Sequence, residues 1–266
     1  MKVFVINLAA ATERLAHMRA ALGSIGVAFE RFEALDPDRA ARHPCFSLIR
    51  PLQGRAWVPG EIACLLSHYE VWRSIAAGAD EFGVVLEDDV LVDARLKKVV
   101  DGESGIPGDA DVVKIETGEY QKVALSRRSV ATAGGPAYHR LLSVHYGAGA
   151  YVLSRRAARF LTDRVASFDM PVDDLLFADE HPAARKLRVY QAVPAVAIQS
   201  VNLRPEDQLA HLRSGLDEAR RLGWSSARYE SRTLRAIRRR WKKRLRQVYF
   251  RLFAMRMIVP FGWHNS

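Results

Sequence analysis

The segment Phe82-Gly83-Val84-Val85-Leu86 is a continuous apolar run that ends without transition in Glu87-Asp88-Asp89. A run of this kind fits a strand covered on both faces, which requires a layer of helices on each side of a sheet. Lys2 to Leu8 repeats the pattern at the start of the chain and reads as the first strand. Thr12 then caps a helix with apolar positions at Leu15, Met18 and Leu22, closing near Gly23 and Gly26. Val27 to Phe32 reads as a second strand. Residues 36–58, with Pro37, Pro44, Pro51 and Gly54, read as a long irregular connection. Pro59-Gly60-Glu61 opens a helix carrying Leu65, Leu66, Tyr69, Val71, Trp72 and Ile75. Further strands are expected at Asp111 to Ile115, Tyr151 to Leu153 and Val189 to Ile198, the last broken by Pro194. Helices are expected at Ser154 to Val165 and from Pro171 onward. Strands alternating with helices predict an α/β domain built on a mostly parallel sheet.

Charge divides the chain. Its 266 residues hold 40 Lys+Arg against 30 Asp+Glu, but from His211 to Arg256 there are 15 Arg/Lys and 3 Asp/Glu. An almost neutral unit over residues 1–210 is therefore followed by a basic helical tail over 211–266. In the tail, Trp241, Leu245, Val248, Tyr249, Leu252 and Phe253 fall at helical spacing, with Lys242, Lys243, Arg244, Arg246 and Arg251 around them. That stripe fits a helix lying on an anionic membrane surface, with Met257 to Phe261 continuing the apolar contact. Packing of the stripe on the domain and binding of nucleic acid are the competing readings, the second weakened because no nucleic-acid fold accompanies it. Cys45 and Cys64 are too few for a disulfide framework and lack zinc-finger or redox spacing. The N-terminus has no cleavage-site pattern, and no stretch approaches the roughly 20 apolar residues that span a bilayer. The expected location is cytoplasmic, at the cytosolic face of a membrane.

The acids after Leu86 are the sharpest chemical signal. In open α/β sheets ligands bind beyond the carboxyl ends of strands. Three adjacent carboxylates there repel one another unless a cation joins them. A hard divalent ion, Mn²⁺ or Mg²⁺, suits oxygen ligands and also accepts phosphate oxygens. If the pleat continues, Glu87 and Asp89 point to one side and Asp88 to the other. Acids that merely border a loop would look the same at this level.

Their company narrows the choice. Val5-Ile6-Asn7-Leu8 with Arg14, then Gly60-Glu61-Ile62-Ala63-Cys64-Leu65-Leu66-Ser67-His68-Tyr69-Glu70-Val71-Trp72, then Leu86-Glu87-Asp88-Asp89-Val90 and Pro171-Val172-Asp173-Asp174, resemble glycosyltransferase family 25 in order and spacing. Ala63 departs from the glycine usual in that family. The resemblance covers roughly residues 2–200 and implies a GT-A-like fold. It also implies transfer of a sugar, with inversion, from a nucleotide donor (UDP-galactose first) to a hydroxyl of a lipopolysaccharide or related surface glycan. On this reading Asp89 with Glu87 or Asp88 holds the metal, and Asn7, Leu8 and Arg14 line the donor site. Inversion needs a base for the acceptor proton, for which Asp173 and Asp174 are the candidates; helix capping is their structural alternative.

Weaker candidates are Ser67 and His68, either substrate contacts or a buried link from helix to sheet, and Trp72, read as core. Lys114, inside an apolar strand, needs a partner, either the acid cluster or, preferentially, a donor phosphate. His145, His181 and His211 are candidates for a further metal ligand. A catalytically silent nucleotide- or glycan-binding relative is the runner-up, disfavoured because it has no need of a repulsive acid cluster.

Overall fold

The computed structural model describes residues 1–52, 55–118, 120–131, 134–163, 167–178, 183–212 and 254–262. The first strand, β1 (Lys2–Asn7), is buried from Val3 onward and leads into α1 (Thr12–Ser24). Ala11 rather than Thr12 occupies the capping position, and no side chain caps this helix. Leu15, Met18 and Leu22 form its buried face, as their spacing predicts. β2 (Glu30–Glu33) begins three residues later than expected and is largely exposed, as an edge strand can be. The connection at 36–58 is more ordered than its prolines suggested. Asp36 accepts a bond from Arg39 N at 2.8 Å and caps α2 (Pro37–Ala41), and Pro44–Leu48 forms a 3-10 turn. In both, the proline stands at the first turn, where its missing N–H leaves no bond unmade.

α3 (Pro59–Ala77) lies against β3 (Phe82–Glu87), and Gly83 lets it approach. A Cβ at Gly83 would stand 2.8 Å from Ile75 Cγ1, closer than packed carbons allow. β4 (Val90–Val92), α4 (Leu96–Val100), β5 (Val112–Lys114) and β6 (Glu116–Thr117) follow, then a hairpin of β7 (Lys122–Val130) and β8 (Ala137–Leu141). β9 (Ala150–Ser154) runs into α5 (Arg155–Asp163), and α6 (Val172–Phe177) precedes β10 (Val189–Val193) and β11 (Ala197–Gln199). Pro194 divides these last two strands, which join different sheets.

The main sheet has nine strands in the order β12-β7-β8-β10-β5-β9-β3-β1-β2, where β12 is Ala254–Ile258. A smaller sheet has the order β4-β11-β6. The large sheet is mixed, not mostly parallel. β1 runs parallel to β2 and β3, and β5 parallel to β10, but β9 enters between β3 and β5 antiparallel to both. β9 follows a hairpin rather than a crossover helix, so it enters the sheet from the opposite end. The hairpin escaped sequence reading because the outer half of β7, Ser126-Arg127-Arg128-Ser129-Val130, is polar and largely exposed.

Side chains alternate across the sheet between two apolar layers. Phe4, Ile6 and Val85 pack with Leu65 and Trp72 of α3, Leu161 of α5 and Leu175 of α6. Val3, Val5, Val84 and Leu86 pack with Met18 and Leu22 of α1 and Leu96 and Val99 of α4. This alternation decides which way the residues after Leu86 turn.

The apolar stripe and cations at 241–253 lie outside the described residues. The expectation that Met257 to Phe261 extends that stripe is corrected: Met257 belongs to β12, which pairs antiparallel with β7, and Phe261 packs with Leu91 and Ile198. The alternating burial of Ala254–Ile258 reflects a sheet-edge strand with one covered face. No helix among the described residues is long and apolar enough to cross a membrane.

Candidate functional site

Register builds the site. Ile6 pairs with Glu87 across β1 and β3, so Asn7 and Asp88 leave the two strand ends side by side. Asn7 Nδ2 donates to Asp88 Oδ2 at 2.6 Å and to Ala11 O at 2.9 Å, while its Oδ1 accepts from Arg31 Nε at 3.0 Å. Arg14 closes on Asp88 Oδ1 at 3.0 Å from the first turn of α1. Burial pushes the Asp88 carboxyl above the usual carboxylate range, with Arg14 and Asn7 pulling against it.

Glu87 and Asp89 turn the other way and meet at one amide. Gln199 Nε2 donates to Glu87 Oε2 at 2.9 Å and lies 3.2 and 3.3 Å from the two oxygens of Asp89. The expected split, with Glu87 and Asp89 to one side and Asp88 to the other, is what the strand end adopts. Asp89 is buried, and among the described residues no cationic side chain stands within ion-pair distance of it. Burial, then the neighbouring charges of Glu87 and Asp88, holds its carboxyl well above the ordinary range. Such an oxygen pair fits a hard divalent cation, which would supply the charge that Gln199 lacks.

On the α3 side, Glu87 Oε1 stands 3.0 Å from His68 Nε2. His68 Nδ1 lies 2.8 Å from Tyr151 Oη, which accepts from Trp72 Nε1 at 2.7 Å. His68 is thus a buried link from helix to sheet, and Trp72 is core, with no exposed face for a sugar. Ser67 is bonded within the fold, its Oγ donating to Ala63 O at 2.7 Å and accepting from Leu35 N at 2.9 Å, and it borders the pocket that Leu8 and Arg14 line. Leu8, more than a third exposed, and Arg14 line a small pocket of about 100 Å³ with Cys64, Glu87, Asp88 and Asp89. A larger recess of about 540 Å³ lies on the outer surface of α3 and α5 and contains none of the strand-end acids.

Lys114 is fully buried and takes an acid, not an exposed phosphate position, as its partner. Its Nζ stands 2.6 Å from Glu116 Oε1, donates to Gly147 O, and lies 4.3 Å from the centre of the Phe177 ring. Burial pushes the Lys114 ammonium down and the Glu116 carboxyl up, against their mutual attraction. Asp173 and Glu87 add negative charge near Lys114. Asp173 Oδ2 accepts from Gly147 N at 3.2 Å, in the first turn of α6. Asp173 therefore reaches the same loop as Lys114. His145 is buried with Nδ1 2.7 Å from Gln191 Oε1; burial, then Lys114, lowers its pKa to about 2. His211 packs edge-on to His17, with ring centres 5.9 Å apart, and His181 lies outside the described residues.

Sequence reasoning missed Glu116 and Gln199. Glu116 had a signal, since it stands two residues from a lysine that needed a partner. Gln199 had none. A Cβ on Gly149 would lie 2.5 Å from Gln199 Cγ and 2.9 Å from Glu116 Oε2, so the glycine is what lets the three segments meet.

The sequence matches Glycosyltransferase family 25 (LPS biosynthesis protein) over residues 1–176. The chain belongs to glycosyltransferase family 25. It is 32% identical to the lacto-N-neotetraose biosynthesis glycosyltransferase LgtB of Neisseria gonorrhoeae, over 98% of this chain and 100% of that one. It is 26% identical to the lipooligosaccharide biosynthesis protein lic2B of Haemophilus influenzae, over 97% and 98%. Among solved structures, a galactosyltransferase LgtC in complex with donor and acceptor sugar analogs aligns with TM-score 0.36 and 15% identity, over 89% of this chain and 99% of that one. The family assignment rests on the sequence matches and not on that alignment. The family-25 region, residues 1–176, contains the strand-end acids, Arg14, His68, Lys114 and Asp173; Gln199 and β12 lie beyond it.

Proposed function

We propose that this family-25 glycosyltransferase moves a galactosyl group from UDP-galactose to a hydroxyl of a lipopolysaccharide-type glycan, with inversion. The observation that carries the reading is the convergence of Glu87 and Asp89 on Gln199, at the pocket lined by Leu8, Arg14 and Asp88. Glu87 and Asp89 would hold Mn²⁺ or Mg²⁺, and the ion would offset the charge that grows on the departing diphosphate. Arg14, tethered to Asp88, offers its remaining guanidinium N–H groups to a donor phosphate. Asn7 keeps Asp88 and Arg31 in place, so the pocket wall is set before a donor arrives. The acceptor oxygen attacks the anomeric carbon, the bond from that carbon to the diphosphate oxygen breaks, and Asp173 takes the hydroxyl proton. Asp173 is preferred to Asp174 because it reaches the Gly147 loop and the field of Lys114.

The names of the relatives support a surface-glycan acceptor, and the basic segment 211–256 suits an anionic membrane surface that bears such an acceptor. Nucleic acid is not an expected partner. The deciding experiment is a panel of sugar nucleotides with and without Mn²⁺, measuring sugar release and transfer to a terminal sugar acceptor. UDP-galactose should be turned over fastest and only with the ion. Equal turnover with chelator, or preference for another sugar, overturns the corresponding part. Flotation with anionic vesicles tests the membrane: a chain that stays at the bottom of the gradient rejects attachment.

A further inference from the structure

The two oxygens of Glu87 face two different environments. Oε2 looks toward Gln199 and Asp89, an all-oxygen and amide neighbourhood. Oε1 looks toward α3, where His68 Nε2 lies at 3.0 Å and Cys64 Sγ at 3.6 Å. Cys64 and His68 are four residues apart on one helix and therefore share a face. The sulfur, the imidazole nitrogen and the carboxylate oxygen all lie within 4.8 Å of one another. A tetrahedral zinc with ordinary bond lengths would separate such atoms by about 3.4–3.6 Å, so only small side-chain adjustments are required.

The surroundings are those of a ligand set already oriented. The ring of His68 is held by Tyr151, and Tyr151 by Trp72. Metal-binding imidazoles ordinarily have their second nitrogen fixed in this way. With the ring proton on Nδ1 and donated to the Tyr151 hydroxyl oxygen, Nε2 keeps the free lone pair that a ligand needs. Cys64 is half-buried and borders the pocket that also exposes Leu8, so an ion has a path in and room for a fourth, non-protein ligand. Thiolate and imidazole select zinc-like ions over magnesium.

We propose that Cys64, His68 and Glu87 Oε1 form a site for a thiophilic divalent cation, back to back with the oxygen pair of Glu87 and Asp89. Glu87 bridges the two, so an ion on the sulfur side draws on a carboxylate that the oxygen side also uses. The site stands on its own geometry and does not depend on the transfer reaction.

The test uses the full chain, freed of metal and kept reduced by a non-thiol reductant, titrated with Cd²⁺. One equivalent should produce the ultraviolet thiolate-to-cadmium charge-transfer band, displaced by Zn²⁺ and not by excess Mg²⁺. C64S should abolish the band, and H68Q should weaken Cd²⁺ binding at least ~10-fold, on the scale expected for disturbing a metal's ligand environment. C45S and D89N, which leave all three ligands in place, should keep it. Absence of the band in the unsubstituted chain, its loss in C45S or D89N, or full-affinity binding by H68Q would each overturn the proposal.

Discussion

Asn7 and Asp88, 81 residues apart in the chain, share a hydrogen bond of 2.6 Å across the ends of two parallel strands. Asn7 also bonds Ala11 and Arg31, so one amide ties β1, β2 and the acid turn together. Asn7→Ala should take from Asp88 the bond that supplements Arg14 and strip Arg31 Nε of its acceptor, leaving Arg31 its looser pairing with Glu33. Removing a buried partner costs about 1–3 kcal/mol. Urea denaturation should show a loss of that size, and the KM for the sugar nucleotide should rise more than kcat falls. Unchanged stability and KM would remove Asn7 from its organising role.

Asp89 is buried against a like charge, and the side chain that bonds it among the described residues, Gln199, is neutral. Asp89→Asn should therefore melt at an equal or higher temperature than the parent in chelator, because a repulsion is relieved. The parent should gain about 2.7 kcal/mol from Mn²⁺ at a hundred times its Kd, and the variant should gain nothing. Transfer should be lost in the variant. A thermal-shift titration checks both halves, and a variant that responds to Mn²⁺ like the parent would place the ion elsewhere.

How much of this could be read in advance depends on how local each cause is. The strand Phe82–Glu87 and the opposed directions of Glu87 and Asp88 follow from a period of two within a few residues, and they are as expected. Lys114 was visible as a lysine in an apolar run, but its partner Glu116 begins a separate strand in a second sheet, so the pairing depends on the break at Ile115. Gln199 reaches the acids because Pro194 splits one apolar segment into strands of two sheets, a tertiary event without a local pattern. β9 carries an ordinary buried-strand sequence whose direction is set by the hairpin before it. β12 follows a cationic segment that drew attention to membranes and away from the sheet edge it completes.

Tyr151→Phe addresses the link from Trp72 to His68. It removes one oxygen that accepts the indole N–H and holds the imidazole, leaving both nitrogens buried without that partner. The expected cost is about 1–3 kcal/mol for the unmet groups. With His68 free to turn, Glu87 loses its orientation, and kcat should fall while the ultraviolet spectrum reports intact folding. Wild-type turnover would show that the link serves stability alone.

Asp173→Asn tests the base directly. Losing general-base assistance should cost 10²–10⁴-fold in kcat, with KM for the donor little changed. Asp174→Asn should retain activity within a few-fold. The reverse ranking, measured by steady-state transfer, would exchange the two roles.

His145 bears on acid stability. Its ring is kept neutral in the fold by burial and by the nearby Lys114, with a pKa of about 2 against 6.5 for an ordinary histidine. The unfolded chain therefore binds a proton between those two values that the folded chain refuses. Its contribution to stability is complete above pH 6.5 and declines as pH falls toward 2. His145→Gln keeps a polar group beside Gln191 and removes the titration. The variant should be less stable than the parent at pH 8, where the parent has its full His145–Gln191 hydrogen bond. Between pH 6.5 and 4 the gap should narrow, because only the parent loses stability through this residue. Urea midpoints of both chains across that range provide the measurement; parallel curves would mean that the ring takes up its proton as readily in the folded chain as in the unfolded one.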